Sequence, residues 1–321
     1  MEEILLTIVI PVYNAETNLK KCLDSIMPQL KKNYEVLLIN DGSGDGSLDI
    51  LYQYEACAKD IIRVIDKPNE GVAKTRNLAI SLAKGRYITF LDNDDFIEAA
   101  YFETYLDAAA QGEYDLVLGG YRRVSDKEVK FTVSPVDSAW YPFTVTAPWA
   151  KLYRTEFLKE HKVEFLPYPL GEDIYFSLQL YARKPRIRIL PYIGYNWYFN
   201  EESVSNTIQR GFRSEIDILK LADKLYEVGD NENTLFLYYY VRFLVWYLLF
   251  SGRSASPEEF FREYVKIRQW LNKKNIKYKF PLFSKELQGE RFSVKVEINV
   301  FIWMSKLHLT RLFALVFCKG K

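Results

Sequence analysis

Asp92-Asn93-Asp94 is the segment of this chain best suited to chemistry. It follows an apolar run, Arg86 to Leu91, that reads as a strand. Alternate residues of an extended segment face opposite ways, so a turn must follow the strand for the two carboxylates to converge. In such a turn they can bind Mg²⁺ or Mn²⁺ and leave positions for phosphate oxygens. A solvated acidic loop is the plain alternative. Asp41 opens a second candidate, Asp41-Gly42-Ser43-Gly44-Asp45-Gly46-Ser47. This run lacks the lysine and spacing of a P-loop, and the twelve-residue calcium pattern fails. Asp41 can accept hydrogen bonds from a base or ribose, and the glycines let a ligand approach the backbone. An ordinary strand-to-helix connection capped by Ser47 uses the same residues. Lys74 and Arg76 fall in the first turns of a helix opened by Asn69-Glu70-Gly71, where cations and the helix N-terminus favour a phosphate. A surface helix with scattered charge has the same look. Gly171-Glu172-Asp173 begins another helix, either as a dipole-favoured cap or with one carboxylate as a general base.

The elements that must position these residues alternate. Leu5–Val12, Glu35–Asn40, Ile61–Ile65 and Arg86–Leu91 read as strands, separated by helical patterns over Leu19–Leu30, Leu48–Ala58 and Val72–Ala83, the last stopped by Lys84-Gly85. Near-continuous apolar strands alternating with helices predict a mostly parallel sheet covered on both faces, with ligands beyond the carboxyl ends of the strands. Past Tyr114 the alternation weakens. Asp115–Gly119 and Ile187–Trp197 read as strands, Lys151–Lys162 and Asp173–Ala182 as helices. Beyond about Gly211 the pattern is helical: Ile216–Val228, Thr234–Phe250 and Pro257–Asn272. The fold class expected is α/β with a C-terminal helical extension.

Composition narrows the classes. At 321 residues, two domains or one with a large appendage is expected. A hydrophobic share of 49% excludes global disorder. A net charge of +1 argues against a nucleic-acid partner. Cys22, Cys57 and Cys318 are few and widely spaced, which points to a reducing compartment. With His161 and His308 the only histidines, zinc and a Ser-His-Asp triad have little to draw on. The N-terminal acids before a short apolar run have the wrong sign for a signal peptide, and no long uncharged apolar stretch predicts a membrane span.

The order of the blocks is more telling than any one of them. TIVIPVYNAETNLKKCLDSI, EVLLINDGSGDGS, NEGVAKTRNLAI and GRYITFLDNDDF closely resemble glycosyltransferase family 2, and PWAKLYRTEF and LGEDIYF resemble its second half, over roughly residues 4–210. The resemblance implies a GT-A fold and inverting transfer of a sugar from a nucleotide-diphosphate donor, a UDP-sugar by the usual base. It implies that Pro11, Tyr13 and Glu16 line the nucleoside pocket and that Asp41 reads the base. Arg76 and Asn77 would border the diphosphate, with Asn93 also on the nucleotide-sugar side. Asp94, with Asp92 near the ribose or metal, would hold Mn²⁺ or Mg²⁺. Asp173 would be the general base, with Glu172 beside it orienting the acceptor. Trp149, Lys151, Tyr168, Trp197 and Tyr198 can line the acceptor side, or fill the core. Asn200–Thr207 resembles a loop that closes over the diphosphate in relatives. Gly44 stands where members commonly carry Thr, and FIEAAYF lacks a proline common after the acidic triplet; neither change removes a chemical group.

The division expected is a transferase domain over 1–215, with a nucleotide-sugar half (1–110) and an acceptor half (111–215), followed by the extension 216–321. Two rivals stand beside it. One is a degenerate nucleotide-sugar-binding scaffold, opposed by the intact Asp92, Asp94 and Asp173. The other is a nucleotidyltransferase, opposed by the lack of a basic Gly-rich loop near the N-terminus. Pro257–Lys321 holds 14 Lys+Arg against 6 Asp+Glu, and the remainder 29 against 36. Ile298–Phe317 is apolar with flanking cations. It suits a helix on an anionic membrane surface, or equally a terminal helix packed on the core or on another subunit of a homo-oligomer. A lipid-linked saccharide acceptor, as in bacterial capsule, O-antigen or exopolysaccharide assembly, and a cytoplasmic location at the membrane's inner face follow from the resemblance and this tail together.

Overall fold

All seven residues of Leu6–Val12 are buried, which requires a strand covered on both faces. In the computed structural model, which describes residues 3–199, 211–212, 215–276 and 282–320, this strand (β1) lies at the centre of a parallel quartet. The segment Asn200–Thr207 lies outside the described residues. The quartet's other strands are β2 (Tyr34–Asp41), β3 (Ile62–Lys67) and β4 (Tyr87–Phe90), in the order β3-β2-β1-β4. Their connections are α1 (Leu19–Ile26), α2 (Ser47–Cys57) and α3 (Val72–Leu82). The helix expected over Leu19–Leu30 shortens to α1 and a 3₁₀ turn, Met27–Gln29, because Pro28 cannot continue an α-helical ladder.

Beyond β4 the sheet becomes mixed. The order continues β8-β6-β9-β5, with β5 (Phe96–Ile97), β6 (Leu116–Val124), β8 (Lys151–Arg154) and β9 (Ile187–Tyr198); β7 (Val129–Val133) pairs with β6. β8 is antiparallel to both β4 and β6, so β6 runs parallel to β4, and β9 runs parallel to β6. The carboxyl ends of β1, β2, β4, β6 and β9 therefore share one edge. The helix expected over Lys151–Lys162 is corrected here. Lys151–Arg154 is a strand because its apolar neighbours Leu152 and Tyr153 are buried between β4 and β6, and only α6 (Thr155–Glu160) follows as helix. α4 (Tyr101–Ala110) and α7 (Glu172–Ala182) complete the helices around this sheet.

Backbone contacts divide the chain into one unit of Met1–Asp137 with Thr146–Asn200, and a second of Ser138–Val145 with Glu201–Lys321. The second contains α5 (Tyr141–Thr144), α8 (Ile218–Val228), α9 (Thr234–Gly252), α10 (Pro257–Lys273), α11 (Phe292–Lys306) and α12 (Thr310–Phe317). Trp140, just before α5, and Phe143, within it, stack and pack edge-on against Tyr238 and Phe236 of α9. α9 is long and apolar enough to cross a membrane by length and composition, yet 72% of that window is buried within the structure, as in a core helix. Its Arg242 is neutralised by the buried Glu290 at 2.6 Å. The apolar run Ile298–Phe317 is two helices rather than one: α11 ends at Lys306 and the chain turns through His308 at φ 58°.

Gly85 shows why the stop after α3 is a glycine. A Cβ there would sit 2.4 Å from the Thr7 backbone nitrogen, and Gly85 N–H donates to Thr7 Oγ1 at 2.9 Å. Gly85→Ala is expected to destabilise the chain by about 1–3 kcal/mol, the usual cost of overpacking. A lower urea midpoint with an unchanged slope would show it.

Candidate active site

The site forms where the shared strand edge meets the first turns of α3 and α7. β4 ends at Phe90 and the chain turns over Asp92–Asp95, closed by Asp95 N–H donating to the Asp92 carbonyl. Asn93 Nδ2 ties this turn to the Pro11 carbonyl at the end of β1. Asp95, which sequence reasoning passed over, is fully buried and accepts from Tyr195 Oη at 2.6 Å and Tyr198 N–H at 2.8 Å. The turn is thus pinned from β9, a hundred residues away in sequence, which leaves Asp92 and Asp94 directed elsewhere.

Arg76 links this turn to the start of α7. Its side chain is 5% exposed; Nη2 donates to Asp92 Oδ1 at 2.6 Å and Nη1 to Glu172 Oε1 at 3.4 Å. The guanidinium lies 5.3 Å from the Phe165 ring centroid, and its Nε has no hydrogen-bond partner. The turn and the Glu172-Asp173 pair, separated by nearly eighty residues, are therefore one site. Gly171 sits at φ 79°, where a side chain would strain, so α7 can begin at Glu172 with both acids in its first turn. Asp173 Oδ1 accepts the Ile174 N–H at 2.7 Å.

These acids are electrostatically crowded. Burial, then the charge of Asp173, pushes Glu172 up to about 7 against the pull of Arg76. Burial also raises Asp173, opposed by the Ile174 N–H, Arg76 and Lys151. Asp94 is half-buried and is pushed up to about 6 by burial and by Asp92. Lys151 is fully buried, donates to the Ala147 carbonyl at 2.7 Å, and is held down to about 7 by burial against the field of Asp173.

Whether a divalent cation fits can be judged from the donors. Among the described residues, no group of three His, Cys, Asp or Glu side chains forms a closed cage. Asp92 and Asp94 nevertheless place two carboxylates in one turn, and burial, then the charge of Asp92, makes the carboxyl of Asp94 resist ionisation. An open two-carboxylate site of this kind suits Mg²⁺ or Mn²⁺, which take remaining oxygens from phosphates and water.

The residues expected to line the nucleoside pocket are placed with less freedom than that role suggests. Asp41 is 3% exposed and accepts from Lys67 and from the N–H groups of Glu70 and Gly71 at 2.9 Å. Burial pushes its carboxyl up, but these donors prevail and hold it below the usual range. Asp41 thereby fastens the start of α3. Glu16 accepts from Gly46 N–H at 2.6 Å, and Asn14 exchanges hydrogen bonds with Ser43 and Gly44, so the loop after β1 is laced to the loop after β2. Tyr13 is left exposed beside them. Asn77 spends both ends of its amide on the Phe165 backbone, at 2.7 and 2.8 Å, and Lys74 pairs with Glu70. Of the residues expected on the acceptor side, Trp149 is buried and stacked on Tyr195 at 4.7 Å, and Trp197 and Tyr168 are half-buried. Tyr198 donates to Asp126 at 2.6 Å.

If Glu172-Asp173 serves as proton acceptor it must be ionised, so activity is expected to fall as pH drops through about 7, to which Glu172 is raised. Arg76→Gln removes the cation that favours both carboxylates and is expected to move this acid limb to higher pH. A kcat–pH profile of both proteins checks it.

Residues 7–166 match the family model for glycosyl transferase family 2. The glycosyltransferase GlyA of Streptococcus pneumoniae is 29% identical over 231 residues, which are 66% of this chain and 32% of that one. The poly(ribitol-phosphate) beta-glucosyltransferase of Bacillus spizizenii is 32% identical over 203 residues, 60% of this chain and 32% of the relative. The chain thus spans about a third of the length of these curated relatives. Among solved structures, S. aureus TarS 1-349 in complex with UDP-GlcNAc superposes with a TM-score of 0.57 at 17% identity, covering 88% of this chain and 95% of that one. The fold is accordingly the GT-A arrangement expected from the motifs, with C-terminal helices present. With the family model reaching from β1 past the acidic turn, this chain belongs to glycosyl transferase family 2.

Proposed function

We propose that the chain is an inverting glycosyltransferase that moves a sugar from a nucleoside-diphosphate donor to a hydroxyl of a saccharide acceptor. The observation that carries this reading is Arg76 holding Asp92 and Glu172 together. It gathers a two-carboxylate turn suited to a diphosphate and its cation, and a raised carboxyl pair suited to taking a proton. UDP is the nucleotide favoured, since a solved structure of the same fold holds UDP-GlcNAc.

Asp94 and Asp92 would hold Mn²⁺ or Mg²⁺, which supplies Lewis-acid neutralisation of a diphosphate leaving group. Asp173 accepts the acceptor hydroxyl's proton as that oxygen attacks the anomeric carbon from the face opposite the diphosphate, so one displacement inverts the centre. Its raised basicity favours this transfer. Glu172, fixed by Arg76, orients the acceptor, and the buried Lys151 favours the ionised form of Asp173. Phe165 and Phe176, stacked at 4.1 Å and packed on Phe90, keep α7 and the end of β4 in register, which preserves the approach geometry.

A lipid-linked acceptor of bacterial surface polysaccharide, met at the cytoplasmic face of the membrane, suits the tail. Trp303, Leu312, Leu315 and Val316 are exposed on α11 and α12, near Lys306 and Arg311. Apolar residues flanked by cations favour an anionic lipid surface. The chain is expected to co-sediment with phosphatidylglycerol vesicles, and the double variant Trp303→Ser, Leu312→Ser to lose this. Equal sedimentation of both would sink the surface reading.

A donor screen with Mn²⁺, reading nucleotide release, tests the activity. Asp94→Ala is expected to lose metal-dependent donor use. Asp173→Asn should keep UDP binding and lose about 10²- to 10⁴-fold in transfer. Full activity in both would overturn the assignment.

A further inference from the structure

Arg123 is a second buried guanidinium at the ligand-bearing edge of the sheet, and no sequence motif marks it. It lies next to the last residue of β6, whose carboxyl end shares the edge with the Asp92–Asp95 turn. The pairing of β6 with β7 shifts register between Arg123 and Val124, and such bulges re-aim a side chain. Arg122, its neighbour, pairs with Glu98 at 2.9 Å. Arg123 forms no ion pair among the described residues. It is 5% exposed, its Nη1 has no hydrogen-bond partner, and its guanidinium lies 3.4 Å from the Trp197 ring centroid and 5.2 Å from that of Phe199.

A buried guanidinium lacking one acceptor is costly unless something supplies that acceptor. Two carboxylates act on Arg123 electrostatically, Asp95 and Asp94. Asp95 is already satisfied by Tyr195 Oη and Tyr198 N–H. Asp94 is the carboxylate that would face a divalent cation. Arg76 is committed to Asp92 and Glu172. A nucleoside diphosphate leaving group carries more negative charge than one divalent cation neutralises, so the site needs a further cation whose hydrogen-bonding capacity is unspent.

We propose that Arg123 is a donor-binding residue whose unpartnered Nη1 donates to an oxygen of the terminal phosphate of the nucleoside diphosphate. Stacking on Trp197 holds the planar group for that contact, which a lysine cannot reproduce. The inference rests on the nucleotide-sugar reading and adds to it a residue outside the family motifs.

Titration calorimetry of the full chain with UDP, UMP and uridine, in Mn²⁺, tests it. Arg123→Gln is expected to weaken UDP by about tenfold to a hundredfold, the worth of a hydrogen bond to a charged group, with little change for uridine. The preference for UDP over UMP should therefore collapse. Arg123→Lys, which keeps the charge and the buried stem, should lose part of that preference, and it serves if the glutamine variant does not fold. A preference unchanged in a folded variant overturns the proposal, even if its melting temperature falls, because a purely structural role moves stability and not the ratio. Failure of the unaltered chain to bind UDP would instead overturn the donor reading, and this inference with it.

Discussion

The guanidinium of Arg76 is the contact on which the site depends. A buried cation must be matched, and here it is matched by carboxylates from two distant segments, Asp92 and Glu172. Removing the cation would leave both acids crowded, with Asp173 and Asp94 close behind. The position of Arg76 depends in turn on α3, whose start is fastened by Asp41 through Lys67, Glu70 and Gly71. A residue expected to read a base thus already has structural work: it sets the helix that carries the bridging cation.

The acidic turn follows the same logic. An isolated Asp-Asn-Asp-Asp run would repel itself and remain a solvated loop. Here three of the four polar side chains have separate anchors. Asp92 goes to Arg76, Asn93 to the Pro11 carbonyl, and Asp95 into the core beneath Tyr195 and Tyr198. Asp94 is left without such an anchor, and burial, then the charge of Asp92, raises its carboxyl. The turn geometry separates the roles of four consecutive residues.

The parallel quartet was legible because burial on both faces writes long apolar runs, and the polar strand ends were legible as a shared ligand edge. The same reading failed at Lys151–Arg154. That strand is short, and its residues fit either period until the neighbouring strands are known. The motif acids were visible as local patterns. Tyr195, Arg123 and Lys67 were not, because each acts through a partner far along the chain and no local spacing announces it. Trp149 was visible only as an aromatic residue; its stack on Tyr195 places it in the core, as wide use of aromatic residues in this chain would suggest.

A net charge of +1 conceals how differently the two parts of the chain are charged. Two buried guanidinium groups of the sheet-containing unit, Arg76 and Arg123, are held in different ways. Arg76 has carboxylate partners and ties elements together; Arg123 has an aromatic platform and a free hydrogen-bonding position. A guanidinium that ties elements together is neutralised by the protein's own carboxylates, whereas one that is to meet an anion must be kept rigid without being neutralised. An aromatic face does this, because it orients the plane while leaving the donors at its edge unspent. The two arginines are told apart by their charge partners, carboxylates for Arg76 and aromatic rings for Arg123, since each leaves one buried nitrogen without an acceptor.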